Sequence, residues 1–250
     1  MKRLRRALRL RNRRIAAKRR RSRPNPPQLT RLDLNQIKPG DVLFCGPKTA
    51  ESGHKLGVRD KVIQFFTDGI YTHCALYLGN EKVVHAVYPG VEIIDFHEFE
   101  KEYRYLSVTR LLGSNHQHIQ RIVRYAERCA RNKVRYNLLG ALLLPLRQLL
   151  LLAYKTRSYY DRTAAQFRAF RGTKLNLERG AVFCSEFVIR CYKVCGCIDR
   201  QTNYFYSANY WSPSFLAKSR LFRLVGYWAP QGLEMVERND PYYHPSPKAP

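Results

Sequence analysis

The chain has 250 residues and a mass of 29.4 kDa, which suffices for one large domain or two small ones with a buried core. Its 45 Lys and Arg residues against 19 Asp and Glu residues give a formal net charge of +26, which excludes an acidic, cation-binding protein. No uninterrupted apolar run has the length of a membrane-spanning helix, so a polytopic membrane protein is not expected.

The basic residues are concentrated at the amino-terminal end. Residues 1–23 contain 13 Lys and Arg residues and no Asp or Glu, and a proline cluster follows them. A like-charged block cannot pack against itself, so we predict that residues 1–30 form a disordered basic arm. Residues 1–23 either bind an anionic membrane, a wall polymer or nucleic acid, or form a solvated tail without a specific ligand. No apolar segment follows as in a secretory signal, so we expect a location in the cytoplasm or at the periphery of a membrane.

The first half of the chain predicts an antiparallel meander. Apolar and β-favouring residues indicate strands at 42–45, 71–79, 82–88, 91–96 and 104–111, and a short amphipathic helix at 58–69. The pair Gly79-Asn80 predicts a tight hairpin between the second and third of these strands. The second half is mostly helical, with helices predicted at 116–132, at 135–154 as a pair that breaks at Pro145, and from Cys184 to Gly196.

These elements predict an α+β fold in which an antiparallel sheet or barrel packs against helices. We expect one folded domain at residues 31–236. The proline-rich residues 237–250 are expected to be a disordered tail. The seven cysteines are odd in number, which disfavours a disulfide framework and favours a reducing compartment. Cys191, Cys195 and Cys197 lack a second Cys or His pair at zinc spacing, so we predict neither a metal nor another cofactor.

A thiol at the start of a helix is the most informative chemical feature. At that position the helix dipole favours the thiolate form of Cys184. His73 and His85 lie on adjacent predicted strands, and a hairpin centred between residues 79 and 80 pairs residue 73 near residue 86. One imidazole could then accept the thiol proton while the second orients it. The residues alone leave a second interpretation open: a buried, inert thiol and two structural histidines.

Three segments extend this interpretation: GDVLF at 40–44, THCALYLGNEKVVHA at 72–86 and FCSEFVIRCY at 183–192. They resemble the NlpC-type, papain-like cysteine hydrolases, in which an H-x-x-x-Y-x-G strand and a following His-Ala strand carry the two histidines. Cys184 follows both histidines, an order that resembles the circularly permuted branch with the YiiX-type and lecithin:retinol acyltransferase-like proteins. The segment SPSFLAKS at 212–219 also resembles a YiiX-type motif.

The resemblance covers roughly residues 37–228 and implies a circularly permuted papain-like fold with Cys184 as nucleophile, His73 as base and His85 as orienting residue. It implies that a backbone N–H of Cys184 or Ser185 stabilises an oxyanion, and it places Tyr136 near the cleft or in the core. The sequence departs from the pattern in two places. YiiX-type members often have Glu where His85 stands, and residues 137–179 form an apolar and basic insertion, which is either a lid or a packed helical subdomain.

The expected activity is cleavage of an amide bond, in a peptide of the peptidoglycan type or another peptide, through an acyl-enzyme on Cys184. One alternative retains the triad but acts on a lipid ester or thioester, with acyl transfer as an outcome; the apolar insertion and the basic arm favour it. Another is an inactive papain-like binding module whose basic arm binds nucleic acid or a membrane.

Overall fold

The computed structural model describes residues 29–49, 70–143, 181–197, 211–219, 221–237 and 239–243. Within these ranges the chain forms six strands and five α-helices, with short 3-10 helices at Leu34–Gln36 and Leu233–Met235. The elements are β1 (Val42–Cys45), β2 (His73–Gly79), β3 (Lys82–Val87), β4 (Gly90–Asp95), α1 (Phe96–Glu100), β5 (Leu106–Leu111), α2 (His116–Arg131), α3 (Leu138–Leu142), α4 (Cys184–Val194), α5 (Pro213–Ala217) and β6 (Phe222–Trp228).

The six strands form one antiparallel sheet in the order β4-β3-β2-β1-β5-β6. The predicted α+β class and its antiparallel meander are therefore confirmed, and β6 is an addition that the sequence did not predict. The basic arm, the predicted helix at 58–69 and the break at Pro145 lie outside the described residues. Of the insertion at 137–179, only residues 137–143 are described, and they contain α3.

The sheet buries apolar side chains on both faces, because alternate residues of a strand point to opposite sides. On β2, Cys74 and Leu76 belong to the larger core, which includes the buried face of α4. Ala75 and Tyr77 belong to the second core, which α1 and its aromatic residues cover. The start of β2 therefore lies between a helix on one face and an aromatic cluster on the other.

Helix α4 packs against β2 and β3 with an almost wholly buried surface. Phe183, the residue before it, has extended backbone angles, so the chain turns sharply into the helix at Cys184. Near the other end, the Tyr192 hydroxyl donates a hydrogen bond of 2.6 Å to the backbone carbonyl of Gly40. This bond fixes α4 to the turn before β1 and holds its first residue over the start of β2.

The β2–β3 hairpin differs from the predicted register. Leu76 pairs with Val84, and the register shifts between Tyr77 and Gly79. Gly79, Asn80 and Glu81 all have positive φ angles, of 94°, 49° and 56°, so the turn contains more residues in the left-handed region than a two-residue loop at Gly79-Asn80 requires. Continuing the register beyond Leu76 places residue 85 opposite residue 75. The two histidines are therefore diagonal neighbours, not directly opposed ones.

The predicted disordered tail is wrong for residues 239–243. Asp240 is only 2% exposed, and its carboxylate accepts hydrogen bonds from buried hydroxyl groups of the sheet. The donors are Tyr71, Tyr105, Ser107 and Tyr227. A buried carboxylate is tolerated where several donors surround it, and these four donors hold the segment against the core.

Candidate active site

The structure brings together the three side chains that the sequence singled out. His73 is the first residue of β2, His85 lies in β3, and Cys184 is the first residue of α4. The Nε2 atom of His73 lies 3.1 Å from the Nδ1 atom of His85, which is a hydrogen-bonding distance. His73 also acts on the Cys184 thiol, whose pKa it lowers through hydrogen bonding and charge. His73 therefore lies between the thiol and the second imidazole.

Two aromatic residues of the second core pack against the two imidazoles. Phe99 has its ring centroid 6.2 Å from that of His73 and 5.4 Å from that of His85. The Tyr103 ring is stacked at 6.4 Å from His73, with an interplanar angle of 11°. Phe99 and Tyr103 therefore restrict rotation of the His73 ring, and Phe99 restricts rotation of the His85 ring.

His85 is a buried and neutral imidazole. It is 6% exposed, and burial, followed by the charges of His73 and Lys48, lowers its pKa to about 3. Its Nε2 atom lies 3.2 Å from Oε1 of Glu92, directly across the β3–β4 pair. Because the ring is uncharged at neutral pH, this contact is a hydrogen bond to a carboxylate and not an ion pair.

Glu92 is a residue that the sequence analysis missed. The sequence did contain a signal for it. A turn at Pro89-Gly90 followed by a strand at 91–96 predicts a hairpin, in which one residue of the second strand lies opposite His85. In the structure Val87 pairs with Gly90, and this register sets Glu92 beside His85. The side chain is 55% exposed, so it joins a buried imidazole to the solvent.

The environment of Cys184 favours its thiolate form. A hydrogen bond with the Cys74 thiol, and then the hydrogen bond and charge of His73, hold the pKa of Cys184 well below its ordinary value, although burial opposes the shift. Burial instead raises the pKa of five other thiols, those of Cys45, Cys74, Cys191, Cys195 and Cys197. Cys184 is thus chemically distinct from these thiols, as a nucleophile must be.

The first turn of α4 supplies unpaired backbone donors beside the thiol. The first intrahelical bond runs from the Phe187 N–H to the Phe183 carbonyl, and no side chain caps the helix. The backbone N–H groups of Cys184 and Ser185 therefore have no partner within the helix. The Ser185 hydroxyl donates to the Trp211 carbonyl, so the side chain itself is occupied with packing α4 against the segment before α5.

Tyr136 lies next to the start of α4. It pairs as a parallel bridge with Val182, and its half-buried ring packs with Phe183 and Ala141. The Asn137 N–H donates to the Val182 carbonyl, which extends this pairing. Tyr136 therefore packs as a partly buried core aromatic beside α4, and a place for it near the cleft stays a prediction.

Among the described residues, no group of three or more His, Cys, Asp or Glu side chains is arranged to hold a metal ion. In the same ranges, no helix is long and apolar enough to cross a membrane. Comparison of the chain with models of protein families and with curated proteins found no match.

Proposed function

We propose that the protein is a cysteine-dependent hydrolase of the circularly permuted, papain-like type, and that it cleaves an amide bond through an acyl-enzyme on Cys184. The observation that carries the proposal is that His73, which lies 3.1 Å from His85, also lowers the pKa of the Cys184 thiol. The thiol with the lowered pKa begins a helix, and the imidazole that contacts it is oriented by a second imidazole. These are the parts that nucleophilic catalysis by a thiol requires.

The proposed reaction proceeds in two halves. Cys184 Sγ attacks the carbonyl carbon of the substrate, and the thiol proton passes to His73, whose Nε2 atom is already bonded to His85. His73 then protonates the departing amine, which leaves a thioester on Cys184. Water attacks this thioester after giving a proton to His73, and the acid product and the free thiol are released. The unpaired N–H groups at the start of α4 are the proposed oxyanion donors.

The test is detection of the acyl-enzyme by intact-protein mass spectrometry during turnover of N-acyl dipeptide anilides. We expect a mass increase of one acyl group on the wild-type protein and none on Cys184→Ala. His73→Ala should retain the thiol but acylate at least 100-fold more slowly. Cys197→Ala is the matched control, because it removes a thiol whose pKa is raised, and it should acylate normally. Equal acylation of Cys184→Ala and the wild type would contradict the proposal.

A lipid ester or thioester is the second candidate substrate, and the surface of α3 favours it. Leu138, Leu139 and Leu142 are 39%, 68% and 49% exposed in a helix that Asn137 separates from Tyr136. An exposed row of leucines beside the start of α4 suits an acyl chain. Nitrophenyl esters of increasing chain length separate the two candidates. A lipid hydrolase should prefer long chains by tenfold or more, whereas equal rates for all lengths would exclude this candidate.

A further inference from the structure

The hydrogen bonding at the candidate site continues from the two histidines to a third residue, Glu92. His85 contacts His73 through Nδ1 and Glu92 through Nε2, at 3.1 and 3.2 Å. Glu92 stands directly opposite His85 in the β3–β4 ladder, so the contact is fixed by the register of two paired strands. Both ring nitrogens of this buried imidazole are therefore occupied, one by a histidine and one by a carboxylate.

The chemistry of these groups determines where the protons lie. A carboxylate can only accept a hydrogen bond, so Nε2 of His85 must carry a proton to donate to Glu92. Burial and the nearby charges of His73 and Lys48 keep His85 neutral, so its Nδ1 atom has no proton and can only accept. His73 must then donate from Nε2, and a neutral His73 has its free lone pair on Nδ1, the nitrogen that remains for the thiol.

The opposite tautomer of His85 would give the opposite result. With the proton on Nδ1, His85 would donate to His73, and a neutral His73 would carry its own proton on Nδ1. It could not then accept a proton from Cys184. We propose that Glu92 is a positioning residue that fixes the tautomer of His85 and, through it, presents the basic nitrogen of His73 to Cys184. The tautomer assignment stands on the two hydrogen bonds of His85 and on the neutrality of its buried ring, while its catalytic consequence rests on the proposed function.

Glu127 provides a matched control for substitutions of Glu92. Glu92 lines an open groove of about 790 Å³ between β4 and α2, together with Glu127, Arg131, Lys133 and Arg135. Glu127 shares this groove, but no hydrogen bond joins it to the described histidines. Neutralising Glu127 therefore changes the charge of the groove by the same amount without removing an acceptor from His85.

The experiment measures the tautomer and the reactivity of the thiol separately, in the full-length chain. Nitrogen-15 chemical shifts of the imidazoles report which nitrogen of His85 carries the proton, and iodoacetamide alkylation at pH 7 reports Cys184. We expect Nε2–H in the wild type and a mixture of tautomers in Glu92→Ala, with alkylation about tenfold slower. Glu92→Gln offers both an acceptor and a donor, so it should retain more of the reactivity. Glu127→Gln should match the wild type.

Two results would overturn the inference. One is an unchanged Nε2–H tautomer in Glu92→Ala, and the other is a loss of reactivity in Glu127→Gln as large as in Glu92→Ala. Near-ultraviolet circular dichroism shows whether each variant is folded, and Glu92→Gln replaces Glu92→Ala if that variant is not. If Cys184 is unreactive in the wild type but the tautomer still changes, the proposed function fails while the role of Glu92 in the tautomer stands.

Discussion

His85 differs from a surface histidine because the fold keeps it buried and uncharged. Its pKa falls from 6.5 to about 3 in the folded chain, with burial as the leading cause. A group of this kind binds a proton in the unfolded chain at a higher pH than in the folded chain. Acidification below pH 6.5 therefore favours unfolding, and the effect grows until the pH approaches 3.

This linkage predicts a difference between wild-type protein and His85→Gln. The wild type should lose about 2 kcal/mol of unfolding free energy between pH 6.5 and pH 4.5 in excess of the loss in His85→Gln. Urea unfolding at both pH values measures the difference. His97→Gln is the control, because it removes an imidazole whose side chain is 49% exposed. Parallel pH profiles for the wild type and His85→Gln would contradict the burial of a neutral imidazole.

For some residues of the candidate site, the sequence alone was sufficient to predict their positions. The helix start at Cys184 and the two strand histidines were predictable, because motif spacing and hairpin signals place them on neighbouring elements. Glu92 was missed because its importance depends on a pairing register, and a strand residue half exposed to solvent has no distinguishing pattern. The effect of Cys74 on the pKa of Cys184 was missed for the same reason, since it depends on how a distant helix packs on β2.

At the scale of elements, the β2–β3 hairpin sets the geometry of the two histidines. The register was predicted one residue out, because the sequence does not show that Asn80 and Glu81 both adopt positive φ angles. The candidate site still forms, since diagonal neighbours across two strands lie about 7–8 Å apart at Cα and imidazole rings span that distance. Strand β6 was missed because its arginine and glycine break the simple alternation of apolar residues.

Gly79 tests the dependence of the candidate site on this hairpin. Its φ angle is +94°, and an added Cβ would lie 2.9 Å from the Pro39 ring. Gly79→Ala should therefore destabilise the protein by about 2 kcal/mol and slow alkylation of Cys184 by shifting β2 against β3. Thermal unfolding and alkylation rates measure the two effects.

Gly113 provides the matched control for this substitution. Its φ angle is also positive, at +74°, but an added Cβ would meet nothing within 4 Å. Gly113→Ala should cost about 1 kcal/mol and leave the thiol unaffected. Unchanged alkylation in Gly79→Ala, despite a lower melting temperature, would show that the histidine geometry does not depend on this turn.

At the scale of the whole molecule, the carboxyl-terminal segment joins the sheet through Asp240. The sequence predicted a disordered tail because the segment is rich in proline. Composition does not show that one carboxylate accepts from four hydroxyl donors, most of which lie far from it along the chain. Burial raises the pKa of Asp240, and the hydroxyl donors oppose that shift. The segment is therefore a part of the folded domain.

Removal of this carboxylate should destabilise the entire domain. Asp240→Ala removes the carboxylate that accepts from Tyr71, Ser107 and Tyr227, so Tyr71 and Ser107 keep only their bond to each other, and we expect a loss of about 3 kcal/mol of unfolding free energy. Asn239→Ala, at an exposed neighbouring position, should change stability by less than about 0.5 kcal/mol. Urea denaturation compares the two variants, and equal midpoints would show that the segment contributes nothing to the core.

The most direct test of the central claim is the pH dependence of iodoacetamide alkylation at Cys184, followed by peptide mass spectrometry. A lowered pKa keeps the thiol ionised as the pH falls, so Cys184 should react rapidly well below the usual thiol pKa of about 8.5. The other six cysteines are internal controls, and His73→Ala should move the inflection for Cys184 upward. A Cys184 that reacts no faster than the other six at any pH, with a profile unchanged by His73→Ala, would contradict the account.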